Sequence, residues 1–419
     1  LAIYVLPHTD RSSPALEPLF TTPVGPGYRG WYDPALIALH DRFTPHHDIV
    51  FVDPRGTGHS GQVVCPELQQ NAAGPNEAKQ FVAACASTLS ANSSRYGAGD
   101  RATDMDEVRQ LLGYDQIDLY GLSNGATDVE AYAYRYPQHA HAIVIDSGSV
   151  VAATPPDFHD FFHIGDPQLL IDTMARECAS IPACHATDTD PAATFVAQIQ
   201  QLRVNPIPAQ NAVTVPIDES SLVTLIESAE PEPLVTALDA LRRGDPQLVR
   251  SLLTQVKPDN GSGQEFSAGA YAAQLCNDSV APWLPTDSPD VRRQKLDSAV
   301  GALPDEAFSP FSKEAWLERN PPDYCLTWPA PIRYDPVVPD GMATIAVPTL
   351  LLSSDLNRDD LTSRSKLLLN TFSNATFVVV VHANNAAINR SGACIPDIVA
   401  RFFETLDSGD TACAAKSAG

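Results

Sequence analysis

Apolar positions in the first third of the chain fall into short unbroken runs, separated by stretches with helical spacing. Residues 17–22, 48–53, 117–120 and 142–146 are apolar for most of their length, as strands buried on both faces of a parallel sheet are. Residues 1–6 read as a further strand. Between the second and third of the buried strands, residues 102–112 place Met105, Val108 and Leu112 on one helical face. Residues 129–136 continue as a helix that stops before Pro137. This alternation predicts a doubly wound, mostly parallel α/β core. From residue 154 to 336 the pattern changes: strand-like runs almost vanish, prolines are frequent, and 222–228 and 234–241 are helical. The strand rhythm then returns in 346–352 and 376–381, with helices near 363–369 and 398–406. The expected organisation is a core (1–153), an inserted helical cap (154–336) over the C-terminal edge of the sheet, and the rest of the core (337–419). Ligands bind at that edge in open α/β sheets.

Composition narrows the function classes. Apolar residues make up 44% and charged residues 19%, ordinary for a soluble globular protein. The net charge of -24 argues against nucleic acid and against an anionic membrane surface, since both are engaged by clustered Lys and Arg. No apolar run approaches the ~20 residues of a membrane-spanning helix. The opening residues lack the basic start of a signal peptide, so the expected chain is one that begins after a removed signal. The eight cysteines fall in sequence-local couples, Cys65 with Cys85, Cys178 with Cys184, Cys276 with Cys325, and Cys394 with Cys413. Pairing by proximity predicts four disulfides and hence a secreted protein. No Cys/His spacing suggests a metal site, and nothing calls for a cofactor.

The chemistry-bearing stretch is Asp118-Leu119-Tyr120-Gly121-Leu122-Ser123-Asn124-Gly125, a G-x-S-x-G pentapeptide at the end of an apolar run. There a serine sits on a tight strand-to-helix turn with its hydroxyl presented as a nucleophile. A serine hydroxyl reacts only when a base takes its proton. Around it stand further motifs in order: Val24-Gly25-Pro26-Gly27, Asp53-Pro54-Arg55-Gly56-Thr57-Gly58-His59-Ser60, Asp104 to Arg109, Tyr136-Pro137, Cys276-Asn277-Asp278 and Ser391-Gly392-Ala393-Cys394. This ordered set resembles the tripeptidyl aminopeptidase-like branch of the α/β-hydrolases, relatives of the proline iminopeptidases, over nearly the whole chain. The resemblance implies an α/β-hydrolase fold with an inserted cap, and an oxyanion loop that includes Gly25.

The resemblance also implies where the partners of Ser123 belong, and there the chain departs from it. The acid position of Leu352-Ser353-Ser354-Asp355-Leu356-Asn357 holds Asn357. The base position of His382-Ala383-Asn384-Asn385-Ala386 falls on Asn385. An amide can neither take the serine proton nor stabilise an imidazolium. Val24 replaces the first glycine of the oxyanion loop, at the substrate-facing wall. Asn124 replaces the usual aromatic residue while keeping a backbone N–H for an oxyanion. Asp128, one turn past Ser123, is either a satisfied helix acid or a relocated acid or base. His382 can replace the missing base if its loop rearranges, with Asp355, Asp359 or Asp360 behind it; otherwise it caps a strand end. His159, His163 and His185 are weaker candidates, and His59 reads as structural. Asp278 is either a receptor for a cationic amine or a surface acid. The leading expectation is a secreted enzyme whose serine and two asparagines orient a small molecule or short peptide for cyclisation, isomerisation or addition. The alternatives are a peptidase or esterase using Ser123 with His382, and a non-catalytic ligand-binding relative.

Overall fold

The computed structural model describes residues 1–30, 42–70, 75–148, 167–210, 215–255, 265–341, 344–358, 362–389 and 392–416. Seven strands form one sheet: β1 (Ile3–Leu6), β2 (Leu19–Thr21), β3 (Ile49–Val52), β4 (Ile117–Leu122), β5 (Ala140–Asp146), β6 (Thr349–Ser354) and β7 (Ala375–Val380). Their spatial order is β1-β3-β2-β4-β5-β6-β7, with β1 antiparallel to β3 and every other pair parallel. The chain steps from β2 outward to β3, then returns to place β4 on the other side of β2. That reversal makes the C-terminal ends of β2 and β4 the switch point where such sheets bind ligands.

The helices that matter below are α1 (Ala98–Leu112), α2 (Gly125–Arg135), α3 (Pro167–Ser180), α4 (Ala268–Asp278), α5 (Pro289–Ala302) and α6 (Cys394–Thr405). Side chains of β4 leave on alternate faces. Leu119 packs with Phe20, Val50 and Ile143 against Met105 and Val108 of α1 and Val129 of α2. Tyr120 and Leu122 pack with Leu19, Phe51 and Val144 against Phe402 and Phe403 of α6. Each fully buried large apolar side chain contributes about 1.5–3 kcal/mol. With helices on both faces, the run has no polar side to alternate with, which is why the strands read as continuous apolar segments.

Between β5 and β6 the described residues carry helices and no strand of the sheet. They enclose their own core, including Met174, Phe195, Leu222, Leu238, Phe308 and Trp316. The expected cap boundary at residue 154 lies outside the described residues. All four expected disulfides are formed, Cys65–Cys85, Cys178–Cys184, Cys276–Cys325 and Cys394–Cys413, and no cysteine is free.

The helical body meets the core in two ways. Along α4, Ala268, Ala270, Ala272 and Ala273 pack into one apolar cluster with Val63, Cys65, Val82 and Cys85. Gln274 Oε1 accepts the Gly27 N–H at 2.8 Å, and Asp278 Oδ1 accepts the Ala98 N–H at 2.7 Å. The second contact explains why α1 begins at Ala98, four residues before the sequence pattern predicts. A carboxylate from a distant segment satisfies an orphan amide at the helix start and complements its dipole. Along α3 the contacts are polar: Glu177 Oε1 accepts from Asn384 Nδ2 (2.8 Å), and Arg176 Nη2 donates to the Asp355 carbonyl (3.3 Å). Arg358 Nη1 reaches back to the Ile226 and Ala229 carbonyls at 2.8 and 2.9 Å.

Candidate active site

Ser123 directly follows β4 and has φ +52°, the left-handed region that a β-carbon disfavours by about 1–2 kcal/mol. Its N–H donates to the Asp146 carbonyl at 2.9 Å, and its own carbonyl accepts from Ala126 at 3.0 Å, so the turn passes straight into α2. Both glycines of the pentapeptide are required by close packing. A β-carbon on Gly125 would lie 2.2 Å from Thr22 Oγ1, and one on Gly121 would lie 2.8 Å from Val129 Cγ2. Six non-glycine residues have positive φ among those described, and four of them, Ser123, Ser147, His382 and Ala386, lie at this edge of the sheet. Strain held in place by surrounding structure is a common mark of a functional site. Ser123 is half-buried, and its Oγ has no hydrogen-bond partner among the described residues.

The oxyanion donors are not arranged as expected. The Asn124 N–H donates to the Val24 carbonyl at 3.2 Å, so the donor assigned from the sequence is already occupied. Gly25 lies beside the Tyr28 ring, 3.2 Å from where its β-carbon would be, and Gly27 is tied to Gln274 of α4.

Asn357 is 2% exposed, on the loop leaving β6, and its N–H points to the Ser354 carbonyl at 3.4 Å. Asn385 is half-buried on the loop leaving β7, and its Oδ1, closed from solvent, has no donor among the described residues. Asp146 fixes that loop. Its carboxylate accepts from the Ala387 and Ile388 N–H groups (2.8 and 2.9 Å), Tyr120 Oη (2.7 Å) and Ser147 Oγ (3.0 Å). Burial raises the Asp146 pKa, while these four donors act in the opposite direction. His382 is exposed at a turn with φ +56°, without a hydrogen bond among the described residues. The Asp355 carboxylate expected behind it accepts from the Ala383 N–H instead, at 3.4 Å. Asp359, Asp360, His159 and His163 lie outside the described residues. His185 is exposed on a short cap helix, and His59 hydrogen-bonds Tyr4 Oη at 3.0 Å.

Two expectations are corrected. Asp128 does not open into the cleft as a relocated acid or base: it is 6% exposed, and Arg101 Nε donates to its Oδ1 at 2.8 Å. Asp278 is neither a surface acid nor a free receptor for an amine. Its Oδ2 accepts from Arg101 Nη2 at 3.0 Å, so one buried guanidinium joins two aspartates. Burial pushes Asp278 up to about 6, with Arg101 opposing. Burial would lower the Arg101 pKa, but the two carboxylates outweigh it and hold the guanidinium above its ordinary value.

Sequence reasoning missed Asp146, Arg101 and Glu177. Asp146 ends an apolar strand, which marks it as unusual; Glu177 carries no signal, because its role depends on how α3 docks. Burial raises the Glu177 pKa, and Asn384 and Arg358 oppose the shift. At the opposite edge of the sheet, Glu17, Asp118 and His141 each bring one possible metal-ligand atom within 4.8 Å of the others. His141 Nδ1 is there hydrogen-bonded to Asp118 Oδ1 at 2.8 Å, while Asp118 Oδ2 is buried without a hydrogen-bond partner among the described residues.

Residues 25–211 match the family model of the alpha/beta hydrolase fold. The chain is 29% identical over 164 residues to serine protease Hip1 of Mycobacterium tuberculosis, covering 35% of this chain and 31% of that protein. It is 23% identical over 368 residues to a tripeptidyl aminopeptidase of Streptomyces lividans, covering 78% of this chain and 64% of that protein. The chain thus spans about a third of the first relative and just under two thirds of the second. An epoxide hydrolase structure from Bacillus megaterium aligns over 96% of this chain and 97% of its own, at 11% identity and a TM-score of 0.41, too loose a likeness to bear on chemistry. The reversal at β2 and β4, the strained serine between β4 and α2, and the family-model match over residues 25–211 agree: the chain has the α/β-hydrolase fold.

Proposed function

We propose that the protein is an exported serine hydrolase acting on the acyl group of short peptides or small esters, with Ser123 as nucleophile and His382 as proton acceptor. The observation that carries this reading is the retained elbow, with Ser123 at φ +52° at the C-terminal end of β4. The serine protease and tripeptidyl aminopeptidase relatives support the substrate class. Four disulfides support an oxidising compartment. Among the described residues, no helix is long and apolar enough to cross a membrane.

In the first step Ser123 Oγ bonds to the substrate carbonyl carbon while its proton passes to His382. The leaving amine or alcohol recovers that proton, and water then releases the acid from Ser123. The cycle makes two demands on the loops. The turn carrying His382 must fold toward Ser123, and the Val24 carbonyl must release the Asn124 N–H to the oxyanion. Hydrogen bonds of this kind often tighten only in the substrate complex.

A second reading is favoured by Asn357 and Asn385, which the sequence resemblance assigns to the acid and base positions of the family pattern. Amides there suit a pocket that binds and orients a small molecule without forming an acyl-enzyme. A fluorophosphonate probe separates the two. Under the hydrolase reading it labels Ser123, and labelling disappears in Ser123→Ala and falls sharply in His382→Ala. Full labelling of His382→Ala would move the base elsewhere, and an unlabelled wild type would leave the binding reading standing.

A further inference from the structure

A cavity of about 400 Å³ opens in the helical body beyond the end of α4, within the range of small-molecule sites. Neither Ser123 nor the 357 and 382–385 positions line it. Its walls are apolar and aromatic, with Trp283, Trp328 and Tyr334 among them. In a protein of net charge -24, its lining carries Arg292 and Lys295 and no acid.

These two cations differ. Lys295 is half-exposed and paired with Asp287 at 2.7 Å. Arg292, on α5, is 3% exposed and has no ion-pair partner among the described residues. Its Nη atoms donate only to the backbone carbonyls of Leu326, Trp328 and Pro285, and its Nε has no acceptor. Burial lowers the Arg292 pKa, with Asp287 opposing, yet a guanidinium keeps its proton at any ordinary pH. The Trp328 indole N–H, on a residue 4% exposed, is likewise without an acceptor. A buried charge without a counter-ion is costly, and so is each buried donor left unmet. Here the charge and both unmet donors belong to side chains in the wall of one cavity.

We propose that this cavity binds a small organic acid. Its carboxylate would lie on the Arg292 and Trp328 side, and its aromatic or branched body against the indoles. The site is separate from the proposed catalytic cleft and does not depend on hydrolysis.

Phenylacetate and its neutral isostere phenylacetamide test the proposal on the whole protein, by calorimetry with tryptophan fluorescence as a second readout. The acid is expected to bind at least tenfold more tightly than the amide. Trp328→Phe keeps the ring and removes the N–H, so it should erase most of that preference while leaving the amide unchanged. Val280→Trp fills the cavity and should abolish binding of both, with circular dichroism verifying the fold. Ser123→Ala should bind the acid as the wild type does. Equal affinity for acid and amide, absence of binding, unchanged preference in Trp328→Phe, or retained binding in Val280→Trp would each overturn the proposal. Loss of the acid in Ser123→Ala would place it in the catalytic cleft and overturn it too.

Discussion

Glu130 offers a quantitative test of how the core is built. It lies on α2, is 1% exposed, and its Oε2 has no hydrogen-bond partner among the described residues. Burial alone pushes its pKa from the ordinary 4.5 up to about 8. The shift of about 3.5 units corresponds to roughly 5 kcal/mol at 1.36 kcal/mol per unit. The sign follows from proton uptake. Between pH 4.5 and 8 the unfolded chain has released this proton while the folded chain keeps it, so the unfolded state gains as pH rises. The contribution is therefore intact below about pH 4.5, declines as pH climbs to about 8, and is level beyond. Glu130→Gln keeps the shape and cannot ionise. Urea unfolding of wild type and variant at pH 5, 6.5 and 8 should show the variant gaining on the wild type by several kcal/mol across the series. Asp118, raised by burial to about 7, and Asp278, at about 6, bend both profiles in the same sense and cancel in the difference. Parallel profiles for the two proteins would refute the reasoning, because Glu130 would then be ionised or hydrated when folded.

Two further outcomes follow from the site. Asn357→Asp combined with Asn385→His should raise the rate of fluorophosphonate labelling at Ser123, on the order of a hundredfold, while each single change does little, since a base without its orienting acid is held in the wrong tautomer. Mass spectrometry of the labelled peptide decides it, and an inert double variant would mean that these two loops do not face Ser123. Arg101→Met should destabilise the protein by about 3–5 kcal/mol in urea, because it strands two buried carboxylates. Adding Asp128→Asn and Asp278→Asn in that background should recover most of the loss, and failure to recover would show that the guanidinium matters by its packing.

The sheet was readable because burial on both faces leaves apolar runs such as 142–145 with nothing polar to interrupt them. The elbow was readable for a steric reason: Thr22 and Val129 leave no room for a side chain at positions 125 and 121, so the glycines must appear in the sequence. The cysteine couples were readable because both partners sit within one segment, at most 49 residues apart. Asp128 and Asp278 gave no sign of their pairing, for the opposite reason. They lie 150 residues apart and meet only through Arg101 after the helical body docks, a contact that no local pattern encodes. The occupied Asn124 N–H was equally hidden, since it depends on where the Val24 carbonyl lands rather than on either side chain.

The distribution of the disulfides bears on how the molecule can breathe. Cys65–Cys85 and Cys394–Cys413 lie within the core, and Cys178–Cys184 and Cys276–Cys325 within the helical body. None of the four disulfides spans the junction between them, which the polypeptide alone crosses. That junction is lopsided: α4 is bedded in apolar side chains and tied at Ala98, whereas α3 touches the loops after β6 and β7 through polar groups alone among the contacts described. Salt and competing water loosen contacts of the second kind and leave the first intact. In the fully oxidised protein this junction is therefore expected to part first on the α3 side, at Glu177 and Asn384, while the α4 side holds as a hinge.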